Sequence, residues 1–335
     1  MAEKRIGQQT IILSNPPRII SHHCTVGPME GRGPLAKYFD DILDDDLLGQ
    51  TTPEKAELAI LEQTINKTLN KKSLFVQDIQ FYIAGDLLNQ IISANFSARS
   101  IDTSFLGIYS ACSTFTQGVG LGAILIDGGY ADKVLAATSS HYQTAERQFR
   151  YPIELNVKRK PTNQHTVTGA GAVVLASDGD GPKITSVTFG KVIDLGIKDV
   201  NDMGSAMAPA AIDTLTQHLK DTGRTVGDYD LILTGDLSRQ GKKMFTILAK
   251  DAGLSLGEKH QDAGVMIYSP QQPVGAGGSG CACSAVVTIG YVFKEMVQGK
   301  YSRVLIIATG ALTNALTFQQ GESIPGIAHA IVIEV

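Results

Sequence analysis

The chain has no excess of basic charge, no long apolar run and few cysteines, and each shortage removes a class of function. Its 29 Lys and Arg stand against 33 Asp and Glu, a net charge of −4, which argues against a nucleic-acid partner held by bulk charge. The richest apolar stretch, Val119 to Ile126, carries Gly120 and Gly122 and is far too short for a membrane span, so it reads as a core helix. Any membrane association is therefore expected to go through a partner protein. Cysteine is confined to four scattered positions, Cys24, Cys112, Cys281 and Cys283. With no secretory signal recognised, reduced thiols are expected. Glycine, by contrast, is plentiful: 35 in 335 residues, beside 43% hydrophobic and 19% charged residues. That is a globular composition with many tight turns, and its length suits two coupled halves.

An internal repeat supports the two halves. Val76, Asp78, Gly85, Asp86, Leu87 and Gln90 recur as Val226, Asp228, Gly235, Asp236, Leu237 and Gln240 at one offset, 226 − 76 = 150. Each copy is an apolar strand ending in Gly-Asp, preceded by an amphipathic helix that proline is expected to open, Pro53 to Leu69 and Pro209 to Leu219. A second pair follows: a helix Cys112 to Asp127 with the strand Val134 to Thr138, then a helix Ala282 to Gln298 with the strand Val304 to Ala308. Here the offset is 304 − 134 = 170, so the second copy carries 20 extra residues, containing Gly264 to Gly280. Strand–helix–strand units with buried strands predict an α/β protein with mainly parallel sheets, stacked as five layers, α-β-α-β-α. The halves are placed at 1–180 and 181–335. Residues 141–165 are expected as a long polar loop, and 165–176 as a strand hairpin.

Several motifs fall on this frame in order. Ser110-Ala111-Cys112-Ser113-Thr114-Phe115 occupies a strand-to-helix junction, and Val167-Thr168-Gly169-Ala170-Gly171-Ala172-Val173-Val174-Leu175 is a glycine-punctuated strand. Gln272-Pro273-Val274-Gly275-Ala276-Gly277-Gly278 is a turn, and Thr309-Gly310-Ala311-Leu312-Thr313 ends the last long strand unit. Together they resemble the thiolase superfamily and its ketoacyl-synthase branch, which implies a thiolase-like duplicated fold and a homodimer. The opening Gly7 to Thr25, the segment Gly27 to Leu35 and Gly85 to Gln90 are similar to a sporulation branch of that superfamily in endospore-forming bacteria. That resemblance implies binding of dipicolinic acid (pyridine-2,6-dicarboxylate), with calcium as a possible companion. It also implies work beside membrane proteins that move this compound into the forming spore, as a soluble protein at the spore inner membrane. No resident cofactor is implied.

Cys112 is the superfamily's nucleophile position. A helix start lowers a thiol pKa, but thioester chemistry also needs a base and oxyanion donors. Gln272 stands where the family's turn has His, and Gln cannot accept a proton near neutral pH. Gly235-Asp236-Leu237-Ser238 stands where the ketoacyl-synthase branch has His-Gln-Ala-Asn, and Gly278-Ser279-Gly280 is a partial match to its Gly-Asn-Thr/Ser turn. Cys112 is thus read as a residue lining a pocket inherited from an enzyme, with an active condensing enzyme or acyltransferase as the alternative and a scaffold as a third. The expected ligand site comprises Cys112, His141, Arg150, Asp236, Gln272 and Ser279. Arg147, Arg150, Lys158, Arg159 and Lys160 as a group are expected to attract an anion. Cys281-Ala282-Cys283 and His22-His23-Cys24 are read as packing, not metal sites. The acidic run Asp40 to Asp46 lacks the ligand alternation of an EF-hand and is read as solvated surface.

Overall fold

In the computed structural model, the described residues are 3–149 and 159–335. Ten strands build two five-stranded sheets. The first sheet uses β1 (Arg18–Val26), β2 (Phe81–Gly85), β3 (Ser104–Gly107), β4 (Lys133–Ser140) and β5 (Gly169–Ala176) in the order β3-β2-β4-β5-β1. The second uses β6 (Lys183–Phe189), β7 (Leu231–Gly235), β8 (His260–Asp262), β9 (Arg303–Ala311) and β10 (Gly326–Glu334) in the order β8-β7-β9-β10-β6. The two orders are the same, element for element. Both repeat offsets reappear in the register: Phe81 faces Val134, and Leu231 faces Val304. The sheets touch edge to edge where Lys183 pairs with Arg18.

The sheets are mixed, which corrects the mainly parallel expectation. In each, two pairings are parallel and two antiparallel, because the last strand of each half returns antiparallel between the first and fourth. The helices supply three further layers. α1 (Pro53–Asn70) covers the outer face of the first sheet and α4 (Met203–Thr222) that of the second. Between the sheets lie α2 (Thr114–Asp127) and a helix running from α6 (Cys281–Val287) through a π turn at Thr288–Val292 to Val297. Every residue of that helix from Cys281 to Phe293 is buried, as an element packed on both faces must be. Cys24, Cys281 and Cys283 are all free and buried in this interior.

Helix starts follow local rules in one half and depart from them in the other. Thr52 caps α1 by accepting from Lys55 N, with Pro53 at the first helical position. α4, however, begins at Met203, capped by the Asp202 carboxylate, and Pro209 lies inside it. The proline ends a ladder bond there, but the six residues before it are held by burial against a neighbour. That neighbour is α5 (Ser238–Asp251), and a Cβ on Gly241 would come within 2.5 Å of Gly204 O. Two glycines therefore set how closely α4 and α5 pack. Residues 142–149 form a helix, α3 (Tyr142–Phe149), where a loop was expected. Gln164–Thr166 pairs in parallel with Gly277–Ser279 and makes no hairpin with β5. The extra residues of the second copy thus reach across to the first.

Gly241→Ala should force α4 and α5 apart. The expected cost is roughly 1–3 kcal/mol of unfolding free energy, an overpacking penalty, measured by urea titration against the wild type.

Candidate functional site

Cys112 lies in the turn between β3 and α2. Ala111 before it adopts a left-handed φ of 49°, and Thr114 N donates back to Ala111 O, so the helix proper starts two residues after the cysteine. The turn presses on β9: a Cβ on Gly310 would sit 2.4 Å from Ser110 O. A side chain there would displace the cysteine, so glycine is required. From the second half, Gly280 N donates to Asp236 Oδ2 at 3.1 Å, and Cys281 Sγ lies 3.1 Å from Ala111 O. The starts of the two central helices therefore meet.

At that meeting point is a pocket with about 560 Å³ of empty space, including its open mouth. Cys112, Gln164, Thr166, Asn201, Ser279 and Thr313 supply its neutral polar groups, and Leu87, Phe149, Met203 and Met207 its apolar walls. Glu146 also lines it, ion-paired with Arg159 at 2.9 Å. Asp236 is buried beside this pocket, with its carboxyl on Gly280 N and Thr309. Burial pushes the Asp236 carboxyl up to about 8, against the pull of Thr309, Cys112 and Gly280. Burial first, then the Asp236 charge, holds the Cys112 thiol well above its ordinary value. This reverses the expectation from the helix start: the dipole is outweighed by a dry environment and an acid where a thiolate would need a cation.

Three of the expected site residues come together, Cys112, Asp236 and Ser279. His141 does not join them. It is fully buried, with Nε2 2.8 Å from Asp46 O and Nδ1 accepting from Gln143 N, so it ties the acidic loop to the head of α3. Burial also lowers its pKa. Gln272 faces the other way: its Nε2 donates to Met29 O at 2.7 Å and its Oε1 accepts from Ser269 N. Arg150 and Lys158 lie outside the described residues. The other loop cations are engaged elsewhere, Arg147 with Glu54 at 2.6 Å and Lys160 with Asp199 at 3.1 Å. Among the described residues, no Lys, Arg or His lines the pocket. The acidic run is also more than solvated surface: Asp41 pairs with His23 and Lys67, and Asp40 with Lys71.

The sequence reading missed Gln164, Thr166, Asn201, Met203 and Met207. None sits in a motif, and only the crossing strand pair and the start of α4 bring them here. Thr309 was visible as part of a motif, but its role was not. The segment around Glu30 proves to be a clasp. Glu30 is fully buried; its Oε1 accepts from Thr168 N at 3.0 Å and from the Tyr268 hydroxyl, while Oε2 has no hydrogen-bond partner among the described residues. Burial pushes this carboxyl up to about 7.

A carboxyl raised in the folded state binds its proton more tightly there than in the unfolded chain, so stability declines as pH rises from its ordinary value to its folded one. Glu30→Gln removes that dependence. The variant should gain on wild type by an amount on the order of 3 kcal/mol between about pH 4.5 and about pH 7, and level off above. Thermal melts of both proteins across that range provide the check.

A family model described as stage V sporulation protein AD matches residues 7–334. The stage V sporulation protein AD of Bacillus subtilis (strain 168) is 49% identical over 331 residues, covering 99% of this chain and 98% of that protein. Among solved structures, 3-oxoacyl-[acyl-carrier-protein] synthase III from Aquifex aeolicus VF5 superposes with a TM-score of 0.58 at 15% identity, covering 95% of this chain and 100% of that one. Human mitochondrial 3-ketoacyl-CoA thiolase does so with a TM-score of 0.60 at 12% identity, covering 96% and 99%. The fold is thiolase-like.

Proposed function

The chain belongs to the stage V sporulation protein AD family, and from that premise we propose that it is a non-catalytic binder of dipicolinic acid. It would act with the membrane proteins of the stage V sporulation A complex in moving dipicolinate, alone or with calcium, into the developing spore. The observation that carries this reading is the surroundings of Cys112, where burial and then the nearby Asp236 hold the thiol well above its ordinary value. A condensing enzyme needs a thiolate beside a base; here a thiol sits against a buried acid, and neither can take a proton from the other near neutral pH. The pocket instead offers what a flat dicarboxylate uses: apolar walls at Phe149, Met203 and Met207, and hydroxyl and amide donors at Thr166, Ser279, Thr313, Gln164 and Asn201. Among the described residues no helix is long and apolar enough to cross a membrane, which is consistent with peripheral attachment through partners at the spore inner membrane.

The test is titration of the purified protein with dipicolinate. Saturable binding is expected. Cys112→Ala should change affinity only a few-fold and stability by less than about 1 kcal/mol, whereas Cys112→Phe should fill the cavity and abolish binding. If both variants bind like wild type, the pocket is misassigned. If the wild type does not bind at all, a scaffold role is left. Incubation with labelled acyl-coenzyme A should give no turnover; transfer to Cys112 with turnover would sink the reading.

A homodimer is part of the same proposal. β3 is the free edge of the first sheet, and Leu106 on it, with Tyr109, Ile92 and Phe96 nearby in the chain, is exposed. An apolar side chain left bare on a sheet edge is a liability that a second copy removes. Leu106→Glu should convert the dimer to monomer in sedimentation velocity, without loss of the far-UV spectrum.

A further inference from the structure

Asp236 is held by contacts that decide where its proton is. Thr309 Oγ1 lies 2.5 Å from Gly235 O and 2.6 Å from Asp236 Oδ1. A threonine hydroxyl has one hydrogen, and a backbone carbonyl can only accept. The hydroxyl hydrogen therefore goes to Gly235, and the contact with Oδ1 is a good hydrogen bond only if the carboxyl donates it. The other oxygen, Oδ2, accepts from Gly280 N at 3.1 Å. The result is a directed chain, from Asp236 through Thr309 to Gly235. The first half has a reduced version: Thr138 Oγ1 donates to Gly85 O at 2.8 Å, and no acid joins it there, since Asp86 accepts from Leu88 N and Ala94 N instead.

We propose that Asp236 is a neutral carboxylic acid with its proton on Oδ1, and that the pocket admits a carboxylate above Cys112 only while that proton is held. Asp236 is here a positioning residue, acting on the ligand through Cys112 and the Gly280 amide. Its ionisation would place an uncompensated negative charge behind the pocket, in low dielectric and facing an anionic ligand. Among the described residues, the titratable groups facing it are Cys112 from the turn before α2, Cys283 from α6 and Asp262 from the end of β8, and none of these is a cation. Gln164 Nε2 donates to the Asp236 backbone oxygen at 2.6 Å, which fixes the residue in its left-handed conformation, φ 66°. The inference names the class of ligand, an ionised carboxylate taken up with retention of a protein proton, and it rests on the reading of this pocket as a dipicolinate site.

The experiment is dipicolinate titration by calorimetry across pH, on wild type and Asp236→Asn, with a second readout that needs no ligand. Dipicolinate stays ionised over the range used. Asparagine is isosteric, tolerates the left-handed backbone, and its amide can donate to Thr309 while its oxygen accepts from Gly280. Wild-type affinity should weaken roughly tenfold between about pH 7 and about pH 9, and Asp236→Asn should show no such fall. Equal pH profiles in the two proteins overturn the proposal. The second readout is the infrared difference spectrum, wild type minus Asp236→Asn. A protonated-carboxyl C=O stretch at neutral pH that disappears at high pH supports the proposal; its absence overturns it. If no dipicolinate binds to wild type at any pH, the functional reading fails, and the infrared band alone decides the state of Asp236.

Discussion

The structure depends on two helices buried between two sheets. α2 and the helix beginning at Cys281 are covered on both sides, so they must be apolar and small enough for the sheets to close on them. Gly120 of α2 approaches Val187 of the second sheet, and Gly122 approaches Leu175 and Val134 of the first. A Cβ on Gly120 would come within 2.7 Å of Val187, and one on Gly122 within 3.0 Å of Leu175 and Val134, tighter than close packing accepts without a shift. Because the two helices come from equivalent places in the two copies, their starts meet near the centre of the molecule. Cys112 on one side and Gly280 on the other are consequences of that symmetry.

The pocket at the meeting place is built from what each half contributes unequally. The first half supplies the strained turn with the thiol. The second supplies an acid at the end of β7 and the extra loop that crosses back to pair with Gln164–Thr166. Here burial pushes both the thiol and the acid up, and the one charged side chain among the described residues lining the pocket is Glu146, ion-paired with Arg159. Elsewhere the halves are joined by clasps: Glu30 with Tyr268 and Thr168, and Gln272 with Met29. These spend polar side chains on holding the first half to the second.

Much of the frame was legible in the chain because it is local or periodic. Gly-Asp after an apolar strand, Pro53 behind a capping threonine, and offsets of 150 and 170 between copies are properties of sequence spacing, and the register of the sheets repeats them. Pro209 misled because an N-terminal preference is weaker than the burial that extends α4 past it. His141 and Gln272 misled because a motif position predicts where a backbone passes, not which way a side chain turns.

By itself the sequence determined the duplication, the position of the cysteine and the presence of Gln272 and Asp236 at their motif positions, since each is a matter of which residue stands at which interval. Only the tertiary structure decided what surrounds that cysteine. Whether Asp236 is a carboxylate or a neutral acid follows from burial and from a threonine hydroxyl 73 positions away along the chain, and burial is a property of the packed molecule, written at no single position in it.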